Sequence, residues 1–558
     1  MTAFFRWSAA MNELVIAGCL VYKSDSPGRP GVNAATGKMK MRKIRFAYLL
    51  ALPAALLLFA GSASAQYRRE RPQPNDFFRY NYKEKLPKGA PAAVVPPAPE
   101  MVVTHHQITL HGKTLAYTAY TGMMPIRNVT TGVTEGQMFY VYYAKDGVSD
   151  IAHRPLFFVF NGGPGSASIW LHIGGLGPIK VALEPNGLAP APPYRWETNP
   201  STLLDDADMV FIDAIGTGFS RPMKPEWGPK FWGVSNDNAS IAEFIRLFLV
   251  RYNRWDSPKF VCGESYGTTR AADLSGYLTS QGIALNGVVL LSTIINPDGR
   301  AGDLHYVAYL PTMAMTAWYH HKLAPDLEKL KPAEMAKKAQ QFASTEYLEA
   351  LYEGDRLPAA QRQKVIADMA RLTGLSPTFI ADNDLRVSLW RFSTELLRSQ
   401  HLMTGRLDSR FTAFETDAGS NQTAFDASDA NISNAFPPAF EDYLRTHLGY
   451  KTDRLYYVLG GGIGPWSGSY KTVPSLEEAF AKNPNMHLFV GMGYYDFATV
   501  YYAVDWTLAH LKVSPQVREH NIMTDYYDTG HMIYIDAKAS EQLHTDLAKF
   551  ITASVPSR

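Results

Sequence analysis

The feature that most constrains this chain is a rhythm of short, almost wholly apolar runs that end in glycine-rich turns and alternate with helical segments. Residues 156–160 lead into Asn161-Gly162-Gly163-Pro164-Gly165, residues 209–212 into Asp213 and Gly216-Thr217-Gly218, and residues 259–262 into Gly263, while 288–291 close the series. Strands that are apolar on both faces have to be covered on both faces, so the pattern predicts a mostly parallel sheet between helical layers, an α/β fold. Ahead of it, residues 102–110 and 113–120, broken at His111-Gly112, predict a hairpin, and 137–143 a further strand, all at one edge of the sheet.

From about residue 301 to 450 the strand signals fade. Pro332 opens a helix that reaches Tyr352; Val365, Met369 and Leu372 recur at helical spacing before Gly374; Leu385, Leu389, Phe392 and Leu396 mark another helix. The expected organisation is a leader (1–65), a proline- and charge-rich lead-in (66–99), the first part of an α/β domain (100–300), a mainly helical cap insertion (301–450) and the second part of the domain (451–558). Strands resume there at 486–490 and 521–527.

The leader is legible by itself. Lys40, Arg42, Lys43 and Arg45 precede an apolar stretch from 46 to 60 and the small-x-small sequence Ala63-Ser64-Ala65, which reads as a secretory signal peptide cut before Gln66. Fifteen apolar residues are short for a membrane span; the alternative is an uncleaved anchor. Residues 1–38 then suggest a true start at Met39 or Met41, and Ile16-Ala17-Gly18-Cys19 is read as a chance likeness to a lipoprotein box. The leader holds eight Lys and Arg against two Asp and Glu, so the expected mature chain of 493 residues carries a formal −4 where the whole chain carries +2. An exported, periplasmic or secreted protein of bacterial type is expected.

With 46% hydrophobic and 19% charged residues the chain can bury a large core, and 54 Lys and Arg against 52 Asp and Glu give no reason to expect a nucleic-acid partner. Two cysteines, Cys19 and Cys262, exclude a disulfide scaffold and a cysteine-based zinc site. His105-His106 and His320-His321 lack partners at metal-ligand spacing and are read as structural or surface residues. No cofactor and no metal are expected.

Gly263-Glu264-Ser265-Tyr266-Gly267 is a G-x-S-x-G sequence between a buried strand and a helix-compatible run, where the glycines permit the sharp turn that lifts a serine hydroxyl above a sheet edge. A serine needs a base, oriented by a carboxylate, in later strand-end loops. Asp496 and His531 stand in that order. Asp505, Asp525 and Asp528 compete for the orienting role; Asp528 is too near His531 to come from a separate strand and Asp505 lies in a helical run, so Asp496 is preferred. The loop 161–166 can present backbone N–H groups to developing negative charge; without a following Gly-Lys-Ser/Thr it is not a nucleotide loop.

These blocks resemble the serine carboxypeptidases of the α/β-hydrolase superfamily, from about Tyr120 to the C-terminus. Asn161-Gly162-Gly163-Pro164-Gly165 with Leu176-Gly177-Pro178, Asn199 through Asp213 with Gly216 to Ser220, Gly263-Glu264-Ser265-Tyr266 and Gly530-His531-Met532 are similar to family blocks in the family order. The resemblance implies Ser265 as nucleophile, His531 as general base and acid, Asp496 as its orienting partner, Gly163 and Tyr266 as oxyanion-hole donors, and Asn161 and Glu264 as ligands of a peptide's terminal carboxylate. It implies an acyl-enzyme carboxypeptidase of peptides with free C-termini. Because two touching carboxyl groups share a proton, binding is expected to favour acidic pH.

The sequence also departs from the family. Ser166 replaces the family cysteine, Val159 a tryptophan and Gly175 the glutamate before Leu176-Gly177-Pro178, while Gly267-Thr268 stands for Ala-Gly. Arg270 is a further candidate carboxylate ligand, against a default role as a structural arginine. The alternatives carried forward are an esterase or acyltransferase on the same scaffold, and a non-catalytic binding protein.

Overall fold

The computed structural model describes residues 100–417 and 419–555. The leader (1–65) and the whole lead-in (66–99) lie outside these residues.

A ten-stranded sheet organises the described chain. Its strands are β1 (Val102–Leu110), β2 (Lys113–Arg127), β3 (Thr134–Lys145), β4 (Leu156–Phe160), β7 (Asp208–Ile212), the two-residue β8 (Arg221–Pro222), β9 (Lys259–Ser265), β10 (Gly287–Thr293), β13 (His487–Gly493) and β14 (Ile522–Tyr527). β5 (Ile179–Val181) with β6 (Trp196–Thr198), and β11 (Leu402–Thr404) with β12 (Thr412–Phe414), form two small antiparallel ribbons. The large sheet runs β1-β2-β3-β7-β4-β9-β10-β13-β14, with β8 on β3. β1, β2 and β3 pair antiparallel and form one edge; from β7 to β14 every pairing is parallel. Parallel strands joined through helices, with the order reversing at β4, make the α/β-hydrolase arrangement.

Side-chain alternation divides the core into two layers. Leu156, Phe158 and Phe160 of β4, Val261 of β9, and Val288 and Leu290 of β10 enter one layer, under the helices Val234–Arg251 and Tyr266–Ser280. Phe157, Val159, Phe260, Cys262, Val289 and Leu291 enter the other, with the C-terminal helix Ala537–Ser554. Adjacent residues of one strand thus serve opposite layers, which is why these strands read as unbroken apolar runs. Phe157 and Phe260 stack across neighbouring strands, their ring centroids 4.6 Å apart.

Between β10 and β13 the chain is mainly helical. Leu304–Tyr319, Pro332–Phe342, Ala359–Thr373 and Phe436–Asp442 are helices, and Gly374 ends the third of these in a left-handed conformation at φ 70°. The helix expected from Leu385 is shorter, Leu389–Glu395. Ser388 caps it by accepting from the Arg391 amide, and Leu385 lies outside it at φ 61°. The ribbon β11–β12 has no apolar alternation long enough to read as strand in the sequence. Among the described residues, no helix is long and apolar enough to cross a membrane.

Candidate active site

β9 passes into the helix Tyr266–Ser280 without an intervening loop, and Ser265 sits at the junction with φ 60° and ψ −128°. A residue with a Cβ is strained there, and the surroundings must hold it. They do so by close packing: a Cβ on Gly263 would lie 2.0 Å from the Gly267 carbonyl oxygen, and one on Gly267 would lie 2.9 Å from the Phe160 carbonyl oxygen. The glycines on either side of the serine are therefore required by contact as well as by the turn.

Because β4 neighbours β9, the loop after β4 reaches the same place. A Cβ on Gly162 would lie 2.4 Å from the Tyr266 amide nitrogen, so bare backbone meets the first turn of the helix. Gly163 follows at φ 97°. Its amide has no hydrogen-bond acceptor among the described residues, and the first amides of a helix have no intrahelical acceptor. Two donors can thus face the space beside Ser265.

Asp496 and His531 follow the ends of β13 and β14. His531 Nδ1 lies 2.7 Å from Asp496 Oδ2, with both side chains buried. The aspartate also accepts from the Ala498 amide at 2.7 Å, the Thr499 amide at 3.0 Å and the Thr499 hydroxyl at 2.5 Å. Burial by itself would raise the Asp496 pKa, but the His531 charge and these donors hold it below the usual carboxylate range. Burial pulls the His531 pKa down, and the charge and hydrogen bond of Asp496 more than reverse this. The competing carboxylates are engaged elsewhere: Asp528 accepts from Tyr495 at 2.6 Å and Asp505 from Tyr526 at 2.5 Å, while Asp525 lies within β14. The Ser265 hydroxyl makes no hydrogen bond among the described residues. Register still brings it close to the histidine loop, because Thr293 pairs with Ser265 while its neighbour Ser292 donates to the His531 carbonyl at 2.5 Å.

Asn161 and Glu264 also meet. Asn161 Oδ1 accepts from the Leu171 amide at 3.0 Å, which turns its Nδ2 towards Glu264 Oε1 at 3.0 Å. The Glu264 carboxyl is pushed up to about 7, chiefly by burial; His531, Tyr534 and Asn161 oppose the rise and Asp496 adds to it. Arg270 takes the structural role rather than that of a ligand for a substrate carboxylate. It is buried, pairs with Asp237 at 2.7 Å and donates to the Asn161 carbonyl at 2.7 Å, so it braces the glycine loop from beneath.

Sequence reasoning missed two supports. Thr499 follows Asp496 by three residues, a spacing at which short polar side chains bond locally, so a signal existed. No signal marked the second, a strap at 406–410 between β11 and β12. His531 N donates to the Leu407 carbonyl at 2.7 Å, Gly530 N to Asp408 Oδ2 at 3.0 Å and Phe497 N to the Arg406 carbonyl at 3.0 Å. Arg410 donates to the Asp528 carbonyl at 2.8 Å and to Thr529 Oγ at 2.7 Å, and is held by Asp408 at 2.8 Å. One segment of the insertion thus ties down both loops of the Asp–His pair.

Residues 111–364 match the family model described as serine carboxypeptidase. A pheromone-processing carboxypeptidase of the rust fungus Puccinia graminis f. sp. tritici is 26% identical over 34% of this chain and 28% of its own. A serine carboxypeptidase-like protein of Arabidopsis thaliana is 27% identical over 29% of this chain and 32% of its own. The matched region thus spans about a third of the length of these relatives. The prohormone-processing carboxypeptidase Kex1 of Saccharomyces cerevisiae is 14% identical in structure-based alignment, with a TM-score of 0.49 over 78% of this chain and 91% of that one. The family match contains Asn161, Gly163, Glu264, Ser265 and Tyr266; Asp496 and His531 lie beyond it and are brought in by the fold.

Proposed function

We propose that the protein is a serine carboxypeptidase that removes the C-terminal residue of peptides through an acyl-enzyme. Ser265 attacks the terminal peptide carbonyl while His531, oriented through Nδ1 by Asp496, takes the hydroxyl proton and then gives it to the leaving amine. The Gly163 and Tyr266 amides receive the charge that develops on the carbonyl oxygen. Water then attacks the acyl-enzyme with His531 again acting as base. Asn161 and the protonated Glu264 hold the free carboxylate of the substrate, so binding is strongest where Glu264 keeps its proton, on the acid side of its value of about 7. The helical segment at 301–450 caps the sheet edge and shapes the side-chain pocket. Residues 39–65, outside the described structure, support export of the protein through a signal peptide.

The observation that carries this reading is the convergence, at neighbouring strand ends, of a strained serine, a buried Asp–His pair and a buried Asn–Glu pair. Mass spectrometry of products from peptides with free and amidated C-termini tests it. Single-residue release confined to the free acids is expected, whereas turnover of simple esters alone supports the esterase or acyltransferase reading that Gly175 keeps open. Ser265→Ala should lower kcat by about 10⁴-fold or more with the fold retained. A phosphonylating serine reagent that leaves Ser265 unlabelled in folded protein would support the non-catalytic reading.

A further inference from the structure

Tyr534 lies three residues after His531, in the short turn Ile533–Ile535, and its side chain is buried against the site from the side opposite Ser265's helix. The ring fills the room that side chains at 174 and 175 would need. A Cβ on Gly175 would fall 2.2 Å from Tyr534 Cβ and 2.5 Å from its Cγ, and one on Gly174 would fall 2.5 Å from the ring. Two consecutive glycines therefore make space for one phenol.

That phenol ends beside the Glu264 carboxyl and the Asn161 side chain. Its approach falls short of a formed hydrogen bond, so the Tyr534 hydroxyl and Glu264 Oε2 are both buried without a partner. An unpaired buried hydroxyl and an unpaired buried carboxyl oxygen are each costly, and a bond between the two relieves both. Asn161 already occupies Oε1, so Oε2 is the atom left for such a bond.

We propose that Tyr534 is a positioning residue for the Asn161–Glu264 pair, its phenol donating to Glu264 Oε2 and so setting the pH at which that carboxyl takes up the proton it shares with a ligand carboxylate. This rests on the carboxypeptidase reading for the ligand, but not for the Tyr534–Glu264 contact itself. The other groups facing Glu264 are His531 and Asp496 from the ends of β14 and β13, Asn161 from the end of β4 and Cys262 from its own strand. Burial holds the Tyr534 phenol and the Cys262 thiol protonated throughout the working range, so the phenol remains a donor. A donor to the ionised carboxylate lowers its pKa, and removing that donor raises it.

Tyr534→Phe keeps the ring that packs on Gly174 and Gly175 and removes only the hydroxyl. In this variant the alkaline limb of kcat/KM for a free-acid peptide is expected to move up by about one pH unit, the equivalent of one hydrogen bond. The change should lie in KM, with kcat on the acid plateau nearly unchanged. The carboxylic-acid band of Glu264 in infrared spectra of the substrate-free enzyme, assigned by its loss in Glu264→Gln, should titrate with the same upward shift. In the Glu264→Gln background, Tyr534→Phe should shift nothing further. An unmoved limb and infrared titration, or a loss of kcat equal at every pH, overturns the proposal. A wild-type enzyme that treats free-acid and amidated peptides alike overturns the carboxypeptidase reading instead, while the infrared titration still decides the role of Tyr534.

Discussion

Glu264 and Ser265 are neighbours in the chain, yet the first is buried and the second partly open, because β9 is buried through Glu264 and the sharp turn into the helix begins at Ser265. The burial that serves the site carries a cost. In the unfolded chain Glu264 ionises near 4.5, whereas in the folded protein it does so near 7. Below 4.5 both states are protonated and nothing is lost; between these values only the unfolded state ionises, so stability falls as pH rises. Glu264→Gln removes this loss. Its melting temperature should therefore gain on the wild type from pH 4.5 to 7, equivalent to on the order of 2–3 kcal/mol, and a pH-independent difference would contradict the assignment. Asp496→Asn keeps the shape of the His531 contact but removes the charge that favours the imidazolium. A kcat lower by about 10⁴-fold is expected with little change in KM, measured by steady-state kinetics on the same peptide. Ser265, Asp496 and His531 were legible because each stands in a short motif at a strand end. Tyr534 was not, since its role depends on space left by Gly174 and Gly175 about 360 residues earlier in the chain.

At the level of elements, the β4, β9, β13 and β14 ends bring the site together, and the strap at 406–410 keeps two of them in register. Gly530 shows how tight the fit is, for a Cβ there would lie 2.5 Å from the Leu407 carbonyl oxygen. Arg410→Gln loses the ion pairs to Asp408 and Asp536 and the bonds to the histidine loop. A kcat/KM lower by about 10- to 100-fold is expected from displaced catalytic loops, together with destabilisation of about 3–5 kcal/mol from the buried charges left behind. Stopped assays and denaturant midpoints separate the two effects. The strands of the parallel sheet could be read because two-sided burial writes continuous apolar runs. The strap could not, since its residues are mostly polar and its hydrogen bonds are mostly to backbone, which any sequence offers.

Across the whole molecule, stability rests on the two core layers flanking the sheet. Cys262 is the only cysteine among the described residues; it is fully buried, and burial raises its thiol pKa further from reactivity. Cys262 stands three residues before Ser265, where a bulky thiol reagent would inhibit if it reached the sulfur. The burial argues otherwise: peptide mapping after treatment of native protein with Ellman's reagent should find Cys262 unmodified and activity intact, with labelling only after unfolding. Appreciable native labelling would mean that the core opens at β9.

The sequence by itself determined the parallel α/β layering, the glycine turns and the order of serine, aspartate and histidine, because strand periodicity and turn chemistry are local properties. Tertiary structure brought Asp496 onto His531, and it alone decided that Arg270 braces a loop and that Tyr534 and the strap at 406–410 support the site. Those are contacts between residues tens to hundreds of positions apart. Their partners are chosen by strand order and by the volume left between packed side chains, and neither is written in any short stretch of chain.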